Sequence, residues 1–437
     1  MSAEQTANSF YLLTQGCKIN QYESQALAEC WQDQGAQEVS SAREADVIVL
    51  NTCAVTGKAV QDVRKAVRRC RRANSRARIL VTGCAAQVCA QELSALPEVD
   101  MLVPQEQKED LTAWPSTAWP RSLPVDRPNT STVYPFFSIQ RFPRARPVIK
   151  VQDGCSHRCS YCIVPLSRGP SRSRDPELVV QEAQRLLDHG YRELVVSGIN
   201  LSQYRSSGMD FWDLILLMQD RLAREWGDVA RLRLSSLDPV QLTPKALQVL
   251  RASGMICPHL HVSMQSASPE VLQDMGRSHY HPEEVGEFFQ KLDDLWPTYA
   301  LGLDLLTGFP GESDADMLRT EEWLQSQPLT YAHVFPYSPR PGTAASQRRD
   351  HIPEAVKKER SQRLRDLART KNEAFVQRIA AKPRISVLLE DGHPAQGQSE
   401  HYVTCLFERE PQAALRTCVP AKPVRTEGRT LWVQEVQ

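Results

Sequence analysis

The 437-residue chain has no net charge: 52 Lys and Arg are matched by 52 Asp and Glu. Whole-chain charge therefore points to no partner, and a nucleic-acid surface must come from local clustering. No apolar run is long enough to span a bilayer. Met1 to Asn8 is short and polar, without the apolar core of a secretory leader, so a cytoplasmic location and no membrane partner are expected. What the chain does have is 12 cysteines. In a reducing compartment these are metal ligands or core residues sooner than disulfides. A hydrophobic content of 41% supports sizeable cores, and the length calls for two or three domains.

The tract Arg146 to Arg174 holds Cys155, Cys159 and Cys162 in the order Cys-x3-Cys-x2-Cys. Val148 to Val151 reads as a strand, broken by Asp153-Gly154. The three thiols thus fall on a loop at the carboxyl end of a strand, where open α/β sheets hold ligands. A closed zinc site takes four ligands, and His157 could supply the fourth. A cubane iron–sulfur cluster also takes four; with three cysteines, one iron is left open to a substrate.

Three more thiols come from separate stretches. Phe10–Leu13, Val47–Leu50 and Ile79–Thr82 read as strands, and helices are expected over Asn20–Gln34 and Lys58–Arg72. Cys17, Cys53 and Cys84 each fall just past one of these strands. A β-α-β-α-β order implies a parallel sheet, whose carboxyl ends share one edge. The three thiols are thereby expected in one crevice as a second three-cysteine site, although small buried cysteines are a common alternative. Cys30 and Cys70, by contrast, lie inside helices, and Cys89 is expected to start one.

Between Tyr134 and Phe375 six further strands alternate with helices: the Val148 strand, Glu193–Ser197, Arg231–Ser235, His259–Ser263, Leu301–Leu306 and Tyr331–Pro336. Eight would close a barrel; six imply an open one. Gln105 to Val133, rich in Pro, Ser and Thr, reads as a linker. Short strands are expected at Arg384–Glu390, His401–Phe407, Leu415–Pro420 and Thr430–Val436. Arg64, Lys65, Arg68, Arg69, Arg71, Arg72, Arg76 and Arg78 form a one-signed basic run suited to phosphate contact or to a solvated face. The cations of Pro353–Gln377 read more simply as those of a solvated bridging helix.

The segment VQDGCSHRCSYCIVPLSRG, with Tyr161 before its last cysteine, resembles the radical S-adenosylmethionine (SAM) enzymes and, within them, the methylthiotransferases. GCKINQYES, LNTCAVT and VTGCAAQ are similar to the three cysteine segments of that family's N-terminal domain. PRISVLLEDG and SEHYVTCLF resemble the TRAM domain, a small RNA-binding β-barrel. Lys18-Ile19-Asn20-Gln21 is closer to the threonylcarbamoyladenosine tRNA branch than to the isopentenyladenosine or ribosomal-protein branches.

The resemblance implies an α/β chain in four parts. These are an N-terminal parallel-sheet domain (8–104), a linker (105–133), a radical SAM partial barrel (134–375) and a TRAM-like β domain (376–437). It implies two 4Fe–4S clusters, on Cys155/Cys159/Cys162 and on Cys17/Cys53/Cys84, each with an open iron. The first cluster would cleave SAM to a 5′-deoxyadenosyl radical, and the second would hold the sulfur. SAM contacts are implied for Tyr161, Gly198, Asn200, Ser236, Gln265 and Gly308, with no catalytic side chain beyond the cysteines. Asp238 stands where Glu is expected in relatives. The implied reaction is methylthiolation at C2 of N6-threonylcarbamoyladenosine. The implied partners are the tRNA anticodon stem-loop and a flavodoxin- or ferredoxin-like electron donor, with no sulfur source specified. Isopentenyladenosine tRNA or a ribosomal-protein aspartate is the rival substrate. A non-catalytic RNA-binding iron–sulfur protein is the rival of another class.

Overall fold

The computed structural model describes residues 8–114, 134 and 137–436. It forms two compact units, and the first is discontinuous: it gathers the N-terminal part through Arg141, then Gln152–Ser173 and Ser338–Ser346. The second comprises Phe142–Val151, Arg174–Tyr337 and Gln347–Gln437.

The chain opens with β1 (Ser9–Thr14), α1 (Lys18–Asp33), β2 (Gln37–Glu38), β3 (Val47–Thr52), α2 (Gly57–Ala73), β4 (Arg78–Gly83), α3 (Cys84–Val88), α4 (Ala90–Ser94) and β5 (Met101–Val103). The five strands make one parallel sheet in the order β2-β1-β3-β4-β5. β3 is a six-residue run buried throughout, as a central parallel strand covered on both faces requires. Thr56 caps α2 by accepting from the Ala59 amide, and Val60, Val63, Val67 and Cys70 give it a buried stripe of 3.6-residue period.

Gln105–Thr112, at the start of the expected linker, is a 3-10 helix with Gln105, Lys108 and Leu111 buried. Trp114 packs on Phe10 and Trp31. Its polar composition hid its packing, because its buried members are a glutamine, a lysine and a single leucine. The remainder of the expected linker lies mostly outside the described residues.

β6 (Val148–Lys150) belongs to the second unit. β7 (Gln152–Asp153), α5 (Val164–Arg168) and β8 (Arg172–Ser173) belong to the first, with β7 and β8 paired antiparallel. The second unit continues with α6 (Pro176–Asp188), β9 (Glu193–Ser197), α7 (Phe211–Trp226), β10 (Arg231–Leu234), α8 (Pro244–Ala252), β11 (His259–Gln265), α9 (Pro269–Asp274), α10 (Pro282–Leu295), β12 (Ala300–Thr307), α11 (Asp314–Ser326), β13 (Tyr331–Pro336) and α12 (Glu354–Ala380). β6, β9 and β10 pair in parallel, as do β11, β12 and β13. Parallel bridges Leu232↔Ile256 and Leu237↔Val262 join the two sets. β6 and β13 stay at the two outer edges, so the six strands form the expected open barrel.

β14 (Ile385–Glu390), β15 (Gln396–Ser399), β16 (Thr404–Phe407), β17 (Cys418–Glu427) and β18 (Thr430–Glu435) close into a barrel in the order β14-β15-β16-β18-β17. Four strands were expected. The fifth, β15, reads QGQS and escapes an apolar-alternation rule, and His401–Val403 forms a turn instead of the start of a strand. Within the second unit this barrel is clamped by Glu193 of β9. Its carboxylate binds Arg231 Nε at 2.7 Å and Arg233 Nε at 2.6 Å. The two guanidiniums donate onward to the carbonyls of Ser386, Gln398, Ser399 and Glu400. Burial pushes the Glu193 carboxyl up, but the two arginines outweigh it and hold it at about 2.

Candidate metal centres and cofactor site

Cys17, Cys53 and Cys84 follow the carboxyl ends of β1, β3 and β4, three adjacent strands. Two glycines bring them together. Gly16 has φ +100°, and a Cβ there would lie 2.6 Å from Cys53 Cβ and 3.0 Å from its sulfur. Gly83 has φ +94°, and a Cβ there would lie 2.5 Å from the Thr52 carbonyl. Only glycine permits both the left-handed backbone and this approach.

Polar side chains fix the strand ends to one another. Asn20 donates to the carbonyls of Gln15 (2.8 Å) and Thr52 (3.0 Å), which precede the Cys17 and Cys53 tips. Thr52 donates to the carbonyl of Thr82, just before Gly83-Cys84. Behind them lies a buried charge cluster. Lys108 Nζ meets Glu23 Oε2 at 2.6 Å and Asn51 Oδ1 at 2.9 Å. Arg168 donates to both Glu23 oxygens (2.9 and 3.2 Å), to Asp153 Oδ1 (2.8 Å) and to Asn20 Oδ1 (2.6 Å).

Burial pushes the Cys53 thiol up to about 11. Desolvation of its sulfur likewise raises Cys17, although the residue as a whole is exposed; Arg168 opposes this. A bound metal would have to supply the charge that offsets this desolvation, since it is the thiolate that ligates. The donor set is three sulfurs on one edge, which fits a cubane with one iron not held by protein.

Cys155, Cys159 and Cys162 lie on the loop between β7 and α5, within the same unit as the first triad. The Cys155 amide donates to the Gly169 carbonyl at 3.0 Å and the Cys162 amide to the Cys159 carbonyl at 3.0 Å. Gln152 braces the loop through Nε2, which donates to the Gly154 carbonyl at 2.7 Å and to Ser171 Oγ at 2.8 Å. The Ala345 amide donates to the Ser160 carbonyl at 2.8 Å. All three cysteines are half-buried, as is Tyr161. This donor set also fits a cluster with one open iron.

In the second unit, Gly198, Asn200, Ser236, Gln265 and Gly308 all sit at the carboxyl ends of β9 to β12. Asn200 Oδ1 caps a short turn, accepting from Ser202 N (3.1 Å) and Oγ (2.7 Å). Gln265 has φ +66°, a left-handed backbone at the bulged end of β11, a conformation that non-glycine residues hold at a cost. Gly308 faces Lys357, whose Cγ lies 2.3 Å from where a Cβ would be, and its amide donates to Glu312 Oε2 at 2.7 Å. Asp238 is buried and paired to Arg277 at 3.0 Å, a structural use of the shorter acid.

A polar cluster went unread in the sequence. His259 and His261 of β11, Asp304 of β12, and Tyr331 and His333 of β13 share one face of the sheet. Tyr331 Oη lies 2.8 Å from His259 Nε2 and 2.9 Å from His261 Nδ1. Asp304 Oδ1 lies 2.9 Å from His261 Nε2 and 3.1 Å from His333 Nδ1, and its second oxygen accepts from Ser236 at 3.3 Å. Burial raises the Asp304 carboxyl, but the two imidazoles outweigh it and hold it well below the usual range. The signal was period-two polarity in HxH, GxD and YxH, which an apolar-alternation search passes over.

The basic helix α2 is partly neutralised by acids outside it. Arg64 pairs with Glu92 and Arg71 with Asp100, while Arg68 lies 3.9 Å from Glu98. Arg68, Arg69, Arg72, Arg76 and Arg78 remain exposed. On α12 the expectation of solvated cations fails for Lys357 and Arg360. Both are buried, paired to Glu354 (2.6 Å) and to Glu312 (2.7 Å) respectively.

Residues 9–104 match the family described as Uncharacterized protein family UPF0004, and residues 149–324 match the Radical SAM superfamily. The chain is 36% identical over 355 residues to the threonylcarbamoyladenosine tRNA methylthiotransferase MtaB of Bacillus subtilis, covering 80% of this chain and 78% of that protein. Identity to the same-named protein of Aquifex aeolicus is 34%, over 86% of this chain and 92% of that one. For Chlamydia pneumoniae it is 33%, over 98% of each. Among solved structures, the radical SAM methyltransferase TsrM of Kitasatospora setae aligns with a TM-score of 0.56 at 15% identity, over 78% of this chain and 77% of that one, a likeness of fold. With these relatives matched over most of their length, the chain belongs to the MtaB-type family of radical SAM methylthiotransferases.

Proposed function

We propose that this protein adds a methylthio group to C2 of N6-threonylcarbamoyladenosine beside the anticodon of tRNA, using SAM. The observation that carries the reading is that two cysteine triads, Cys17/Cys53/Cys84 and Cys155/Cys159/Cys162, belong to one compact unit. Each offers three sulfurs where a cubane needs four ligands. Two such clusters with SAM supply a site for the transferred sulfur and a one-electron route to functionalise an aromatic C–H that resists polar substitution. The chain's own residues hold and insulate them. Gly16 and Gly83 let the strand ends converge, Asn20 and Thr52 lock the tips, and Gln152 braces the second loop.

Tyr161, Gly198, Asn200, Ser236, Gln265 and Gly308 are assigned to SAM, with Gly308 acting through its backbone because Lys357 covers its α-carbon. The C-terminal barrel and the exposed arginines of α2 are assigned to the tRNA anticodon stem-loop, and a flavodoxin- or ferredoxin-like protein to electron delivery. The test is mass spectrometry of tRNA nucleosides from a deletion strain complemented with wild type or Cys53→Ala. Wild type restores the methylthio nucleoside. Its return with Cys53→Ala sinks the assignment of the N-terminal triad.

A further inference from the structure

Arg168 lies six residues after Cys162, at the end of α5, yet its side chain binds Glu23 and Asn20 of α1. It is 1% exposed. Its bidentate pair with Glu23 spans 145 positions of sequence. Its bond to Asn20 reaches the residue that ties down the Cys17 and Cys53 tips. Its bond to Asp153 anchors it to the segment that leads into Cys155. Arg168 lies within electrostatic reach of Cys17 and Cys84, and Lys108 of Cys84. Around this point Arg168, Arg172 and Lys108 meet Glu23 and Asp153 in one buried network.

We infer that Arg168 is a positioning residue shared by the two cysteine sites, whose buried charge raises the reduction potential of the N-terminal cluster and favours an anionic sulfur ligand on it. The inference rests on the two-cluster reading above. The physics is direct. A cluster gains negative charge on reduction and on binding sulfide or thiolate, and a desolvated cation nearby stabilises both products. Because Arg168 follows Cys162 by six residues and binds Asp153 just before Cys155, a displacement of that loop moves this charge as well.

The test uses full-length protein reconstituted anaerobically, with Arg168→Lys, Arg168→Gln and Lys108→Gln alongside wild type. Redox-titrated EPR follows the N-terminal cluster, assigned as the signal absent from Cys53→Ala. Arg168→Gln, which keeps an amide but loses the charge, should move the midpoint to more negative potential. Arg168→Lys should stay near wild type, and Lys108→Gln should move in the same direction as the glutamine variant. Added methanethiolate should perturb the signal at roughly tenfold higher concentration in Arg168→Gln. An unmoved midpoint in Arg168→Gln, or an equal shift in Arg168→Lys, overturns the inference while leaving the cluster reading intact. If Arg168→Gln fails to take up the cluster, an unmoved Lys108→Gln overturns it. Wild-type protein with only about four iron atoms per chain sinks the two-cluster reading, and the inference with it.

Discussion

The ring of Tyr402, on a turn of the C-terminal barrel, stacks on the imidazole of His259 on β11, with centroids 4.5 Å apart. Tyr402 holds φ +60°, and the Arg233 guanidinium lies 5.2 Å from the ring centroid. The small barrel is thus joined to the large one by an aromatic and cationic contact. Tyr402→Ala should lower stability by roughly 1–3 kcal/mol, while Tyr402→Phe keeps the ring and most of the effect. Chemical denaturation of the two variants checks this; equal loss in both would assign the contact to the hydroxyl.

Glu193 sets a pH window. Its pKa in the folded chain is about 2 against an ordinary 4.5. A depressed carboxyl contributes stability that is fully present above its unfolded value and lost as pH falls through its folded one. Glu193→Gln should cost about 3–5 kcal/mol at neutral pH, because Arg231 and Arg233 stay buried without their counterion. The gap between wild type and variant should narrow as pH drops from 4.5 towards 2. Thermal melts across that range give the answer, and a gap independent of pH would refute the assignment.

The two triads should separate by mutation. Cys159→Ala should abolish both 5′-deoxyadenosine and methylthio-nucleoside formation. Cys53→Ala should still release 5′-deoxyadenosine under strong reduction but form no methylthio product. Each should retain about four of about eight iron atoms. Iron and sulfide analysis with product assay distinguishes these outcomes from stoichiometric zinc, which would exclude clusters.

Replacing Arg68, Arg69 and Arg72 by Glu tests the basic helix. These three are exposed, and among the described residues only Arg68 has an acid within 4 Å, Glu98 at 3.9 Å. If they meet phosphates, tRNA affinity should fall and the slope of log K against log salt should flatten by about three. SAM cleavage without tRNA should be unchanged. Identical binding at low and high salt would leave the helix a solvated face.

What the sequence disclosed depended on periodicity and spacing. The six barrel strands were legible because Val, Leu and Ile runs recur between helical stretches, and the cysteine tips because each follows such a run. β15 was not legible, since a closed five-strand barrel can use the polar QGQS segment as a strand. Nor was the packing of Gln105–Thr112, which depends on Lys108 finding Glu23 across 85 positions. The His–Tyr–Asp cluster was invisible for a related reason: polar residues that face inward have no signature apart from their partners. Nothing local to Arg168 showed that its counterions lie in α1 and β7.

The discontinuity of the first unit has a consequence for biosynthesis. Its sheet is complete at Val103, but Arg168 and the stretch Ser338–Ser346 leave the ribosome much later. At about 5–20 residues per second, the wait from residue 103 to residue 346 is roughly 12–50 s. Until Arg168 follows, roughly 3–13 s at that rate, Glu23 and Asn20 have no guanidinium to close over them, and three cysteine tips stand without that brace. A nascent chain in this state is open to early metal capture and to oxidation. A chain shortened at the apparent domain boundary would never leave this waiting state, because Arg168 and Ser338–Ser346 belong to the same unit as the sheet.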